Sequence, residues 1–131
     1  MFDLLTKISE ERARQISPVT LAFVGDAVYS LYVREREVLR CDGKLADLQK
    51  RTSAAVSAKG QSDLLIKVEE LFTPTEEEIF HRGRNAKKST KAKNASVIDY
   101  NRSTGFEAVL GFLYLTGQYE RIAYIIEGGN A

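Results

Sequence analysis

The stretch LAFVGDAVYSLYV, residues 21–33, holds a single acid, Asp26, in an otherwise almost wholly apolar run. It follows Ser17-Pro18, a hydroxyl residue with proline at the first helical position, which marks a helix start. At about 100° per residue, Leu21, Val24, Val28 and Leu31 form one stripe, the ordinary core face. Val19, Ala22, Phe23, Tyr29 and Val33 surround Asp26 on its own side, so the helix reads as buried nearly all round. A carboxylate in that setting needs a partner, because a desolvated, unpaired charge is costly. That partner is either a buried Arg or Lys, or a cation.

The same anomaly recurs in STGFEAVLGFLYLTG, residues 103–117, where Glu107 is the only charged residue between Arg102 and Glu120. Gly111, one turn on, leaves room for another helix to approach. Two readings of Glu107 stay open. Thr104 and Glu107 have the spacing of a capping box, which would turn Glu107 back onto its own helix start. Alternatively, Asp26 and Glu107 form a pair of hard oxygen ligands for one divalent cation such as Mg²⁺.

The rest of the chain reads as helical. Thr73-Pro74 starts a helix, Glu76 completes its capping box, and the expected span is Pro74 to about Asn85. Apolar residues recur at helical spacing between Lys44 and Phe72, predicting two helices with a break near Thr52 and Ser53. A further helix is expected from about Thr104 to Thr116, ended by Gly117, and YERIAYIIE forms the last one. No alternating strands flank a hairpin signal, so the fold class is all-α. With 131 residues, 44% hydrophobic and 28% charged, one domain over 1–131 with a real core is expected.

The net charge of +1 conceals a polarised chain. RGRNAKKSTKAKNASVIDYNR, residues 82–102, holds seven bases against one acid, Asp99, leaving the remainder net negative. The stretch reads as a long polar loop, either a solvated surface or a contact for a nucleic-acid backbone through Arg82, Arg84, Asn85, Lys87, Lys88, Lys91 and Lys93. No aromatic residue lies between Arg82 and Asp99 to stack unpaired bases, which favours a duplex over a single strand. A helix-turn-helix reader would need a compact recognition helix, which this stretch does not resemble.

Cys41 is the only cysteine, so no internal bridge is available and a reducing compartment is expected. The first fifteen residues mix acids and bases, unlike a signal peptide, and no later run is long and apolar enough for a membrane span. The expected location is the cytoplasm.

FVGDAVY and FEAVLGFLYL, in that order, resemble the two acidic signature helices of the ribonuclease III family. The resemblance covers nearly the whole chain and puts Asp26 and Glu107 on the catalytic, metal-binding positions. It is closer still to the stand-alone bacterial branch, Mini-ribonuclease III, in VSAKGQS (56–62), RGRNAK (82–87) and STGFEA (103–108). That branch has no double-stranded-RNA-binding domain. The larger enzymes carry further acids four and seven residues before the signature Asp and three before the second Glu; Ala22, Val19 and Thr104 stand there in this chain.

The resemblance implies the ribonuclease III endonuclease fold of about seven helices, working as a homodimer. It implies Mg²⁺-dependent cleavage of double-stranded RNA to 5′-phosphate products, and precursor large-subunit (23S) ribosomal RNA as substrate. It also implies a large-subunit ribosomal protein as a stimulating partner. The rival expectation is a non-catalytic duplex-RNA-binding or ribosome-assembly factor with the same fold. His81 is not needed as a base and is expected on a helix surface or against RNA.

Overall fold

The computed structural model describes residues 7–88 and 96–130, and among these the chain forms seven α-helices and no strand. They are α1 (Glu10–Arg14), α2 (Pro18–Arg40), α3 (Leu45–Val56), α4 (Ala58–Val68), α5 (Pro74–Asn85), α6 (Val97–Leu115) and α7 (Tyr119–Ile126), with a 3₁₀ turn at Glu69–Leu71. Helix α6 is the axle of the molecule. It packs most extensively on α2, then on α5 and α4, and every residue from Phe106 to Leu113 except Glu107 is buried.

The start of α5 follows from its residues. Thr73 accepts from the Glu76 amide, Glu76 accepts from the Thr73 amide, and Pro74 supplies a helical φ. Ser17 occupies the corresponding place before α2, but its side chain makes no capping hydrogen bond there. The break between α3 and α4 falls at Ser57, four residues after Ser53. Ser57 ends α3 in an extended conformation, and its hydroxyl oxygen accepts from the Gly60 amide to start α4.

Helix α6 begins at Val97, seven residues before the expected Thr104. Ser96 is its true cap, accepting from the Asp99 amide at 3.0 Å. The first turn carries apolar residues that lie outside the core, Val97 60% and Ile98 71% exposed, so it does not continue the buried apolar pattern of Phe106–Leu113. The basic stretch is correspondingly not one long loop: Arg82 and Arg84 ride on α5 and Arg102 on α6.

The buried face of α2 is Leu21, Ala22, Gly25, Val28, Tyr29 and Val33, whereas Val24 is half-buried and Leu31 is exposed. The core face is therefore turned roughly a quarter turn from the expected stripe, at about 100° per residue. The reason is Gly25, the point of closest approach to α6. A Cβ on Gly25 would run into the Glu107 carbonyl, and one on Gly111 into the Leu21 carbonyl. A glycine adds nothing to an apolar pattern, yet here it lets two backbones touch. Beside this crossing, Tyr29 and Phe106 meet edge to face with ring centroids 5.4 Å apart.

A second glycine pair, Gly83 on α5 and Gly105 on α6, brings those helices into similar contact. Helix α7 is anchored by Arg121, which donates to both carboxylate oxygens of the buried Glu76 at 2.9 Å and to the Leu71 carbonyl. The second side of α2 is not covered in the single chain. Phe23 is 80% exposed, and Val19 and Leu31 also face outward, correcting the expectation of a helix buried all round.

Candidate active site

The Gly25–Gly111 crossing decides where the two acids sit. Asp26 follows Gly25 on α2, and Glu107 lies one turn before Gly111 on α6, so both open onto one cleft of about 390 Å³. Asp26 is exposed and Glu107 half-buried. The capping-box reading of Glu107 does not hold, because Thr104 lies inside α6 and donates to the Tyr100 carbonyl at 2.9 Å. Glu107 instead accepts from Gln61 Nε2 at 3.1 Å through Oε2.

Burial, then the neighbouring Asp26 carboxyl, pushes the pKa of Glu107 from 4.5 up to about 8, against the lowering effect of the Gln61 hydrogen bond. At neutral pH the metal-free site therefore holds Glu107 largely in its acid form. A cation arriving between the carboxyls would displace that proton and favour the ionised pair. The donor set suits a hard divalent cation: two carboxylates in one open cleft, with room for bound water. Among the described residues no cluster of three or more His, Cys, Asp or Glu side chains is placed to hold a metal. Val19, Ala22 and Thr104, where the larger enzymes carry acids, all line this same cleft and leave it with two carboxylates.

The basic residues divide. Lys88 lines the acid cleft, and its ammonium donates to the Gly83, Arg84 and Ala86 carbonyls at the end of α5. Its partial burial lowers its pKa. Arg82 donates to the Arg14 carbonyl at 3.1 Å, and Arg84 sits over the Phe80 ring while donating to Asn85. Asn85 and Lys87 are exposed. Lys91 and Lys93 lie outside the described residues. His81 packs on Phe80 and lines, with Arg82 and Asn85, a surface pocket separate from the acid cleft.

Gln61 is the site residue whose part was not read from the sequence, although it lies in the VSAKGQS motif. The signal was present: it precedes Leu65 by four and Val68 by seven residues, a polar side chain on the apolar stripe of α4. Asp26 had drawn notice for the same kind of misfit.

Two acids from crossing helices that share an open cleft with Lys88 on its wall suit metal-assisted cleavage of a phosphodiester. Residues 19–118 match the Ribonuclease III domain model, and the chain belongs to the ribonuclease III family. It is 43% identical to the Mini-ribonuclease 3 of Thermoanaerobacter sp. (strain X514) over 125 residues, 95% of this chain and 86% of the relative. It is 46% identical to the Mini-ribonuclease 3 of Streptococcus pneumoniae over 113 residues, 85% of this chain and 88% of the relative. A crystal structure of a Fusobacterium nucleatum protein superposes with a TM-score of 0.76 at 32% identity, covering 87% of this chain and 91% of that one. The protein is a double-strand-specific endoribonuclease of a metal-dependent family, and no described helix is long and apolar enough to cross a membrane.

Proposed function

We propose that Asp26 and Glu107 hold Mg²⁺ and that the protein hydrolyses both strands of precursor 23S ribosomal RNA near its ends, in the cytoplasm, leaving 5′ phosphates. The observation that carries this reading is the meeting of the two acids, 81 residues apart in sequence, in one cleft formed by the Gly25–Gly111 crossing. When bound, the cation supplies an acidified water and charge stabilisation for the leaving 3′ oxygen. Asp26 contributes a carboxyl group at the open side of the cleft, and Glu107 contributes a negative charge once its proton has left. No nucleophilic side chain is needed, and His81 stands apart from the acids.

One cleft cuts one strand, so duplex cleavage needs two. The uncovered face of α2, with Phe23, Val19 and Leu31, suits a two-fold partner. Such a homodimer would place a cleft against each strand. Lys88, on the wall of the acid cleft, is the basic residue offered first to the duplex, and Arg82, Arg84, Asn85 and Lys87, at and just after the end of α5, would extend the contact; Lys91 and Lys93, outside the described residues, are assigned to it from the sequence alone. These basic residues would hold the duplex backbone, and a large-subunit ribosomal protein would act by presenting the substrate.

The test is cleavage of a long paired RNA with Mg²⁺ by the wild type, Asp26→Asn and Glu107→Gln, with duplex binding measured alongside. The wild type is expected to cut, and both variants to bind but lose cleavage by at least about two orders of magnitude. A wild type that binds duplex without cutting it, with or without the ribosomal protein, would make the protein an assembly factor.

A further inference from the structure

Gln61 is 2% exposed, and burying a primary amide is unfavourable unless its polar atoms are bonded. Its Nε2 donates to the Val56 carbonyl at 2.9 Å and to Glu107 Oε2 at 3.1 Å. The Val56 carbonyl can only accept, so it fixes which end of the amide faces this side. Its own Oε1 is buried and has no hydrogen-bond partner among the described residues. A buried carbonyl left unpaired costs stability. An arrangement serving stability alone would have placed an aliphatic residue here, like the neighbouring Leu65 and Val68 on the same face of α4.

The amide is also held from behind. Gln61 follows Gly60, whose missing side chain lets the start of α4 press on the Ala54 carbonyl at the end of α3. Ser57 closes the same knuckle by accepting from the Gly60 amide and donating to the Ala54 carbonyl. The backbone under Gln61 is thus set by a tight junction of two helices, and its side chain spans from that junction to the acid on α6.

We infer that Gln61 is the positioning residue for Glu107, orienting its carboxylate for the divalent cation and setting the affinity of the site. This rests on the reading of Asp26 and Glu107 as the cation's ligands. One N–H pins Glu107 Oε2 and holds the carboxylate plane against rotation, and the Val56 carbonyl keeps that N–H aimed. Outer partners of this kind are worth about ten- to hundredfold in metal affinity.

The experiment uses the full-length protein without RNA and Mn²⁺ as the probe, its binding followed by electron paramagnetic resonance. Gln61→Leu keeps similar bulk and removes the donor. It is expected to weaken Mn²⁺ binding about ten- to hundredfold and to raise by the same factor the Mg²⁺ needed for half-maximal cleavage. Its melting temperature in chelator is expected to be no lower than that of the wild type, which separates positioning from support of the fold. Mn²⁺ affinity within twofold of the wild type in a folded Gln61→Leu overturns the inference. A wild-type measurement does not depend on how the variant folds: the Gln61 side-chain amide signals should shift with Mg²⁺, broaden with Mn²⁺, and do neither in Glu107→Gln. Amide signals indifferent to saturating Mg²⁺ also overturn it. If the wild type binds no Mn²⁺ at all, the two-carboxylate cation site itself fails. If it binds, and only Asp26→Asn and Glu107→Gln lose binding, the part given to Gln61 fails alone.

Discussion

Glu107→Gln should make the metal-free protein more stable at neutral and alkaline pH, by an amount that grows with pH. Folding raises the Glu107 pKa from 4.5 to about 8, chiefly through burial and then through the neighbouring Asp26. The folded state therefore binds a proton that the unfolded state has lost over that window. The favourable contribution is complete below the unfolded pKa and is lost as pH rises through the folded one. The slope is about 1.4 kcal/mol per pH unit, so about 3 kcal/mol of stability is lost between about pH 5 and pH 7.5. Glutamine cannot ionise, keeps an oxygen to accept from Gln61, and lacks this loss.

The assay is urea unfolding of both proteins in chelator at fixed protein concentration, repeated from about pH 5 to pH 8.5 across the window between the two pKa values. The stabilities should be close at the acid end and diverge in favour of Glu107→Gln as pH rises. Saturating Mg²⁺ should narrow the difference by stabilising the ionised wild-type pair. A stability difference that does not change with pH would refute the reasoning, because it would mean that folding leaves the Glu107 proton where the unfolded chain has it.

Two further outcomes test the geometry around the site. Gly25→Ala or Gly111→Ala puts a methyl group into the facing backbone carbonyl, so each should destabilise the protein by about 3 kcal/mol or more and depress cleavage by pushing the acid-bearing helices apart; thermal unfolding and duplex cleavage read both effects. A wild-type Tm in either variant would show that the helices do not meet there. Leu31→Glu places a charge on the exposed apolar face of α2, outside the acid cleft that Phe23 also lines, and should convert a sedimenting dimer to monomer with loss of duplex cleavage, whereas a wild type that sediments as a monomer at micromolar concentration would remove the dimer from the proposal.

The all-helical class, the α5 boundaries and the two acids could be read directly from residues 17–33, 73–85 and 103–117. These are local signals: proline after a hydroxyl residue, a capping box, and a charge standing out in an apolar run. The meeting of the acids was not local. It depends on Gly25 and Gly111 facing each other, and a glycine is silent in any hydrophobic count, which is why the α2 core face was placed on Val24 and Leu31 and not around Gly25.

The start of α6 was missed for a related reason, since its first turn projects into solvent and carries only the cap at Ser96 as a marker. The amino-acid sequence by itself determined which residues would be chemically out of place, because an acid in an apolar helix is costly wherever that helix packs. Only the tertiary structure decided that Asp26 stays in water, that Glu107 is desolvated beside it, and that Gln61 reaches across to hold it. Each of these follows from how closely two backbones approach, a distance that no single helix contains.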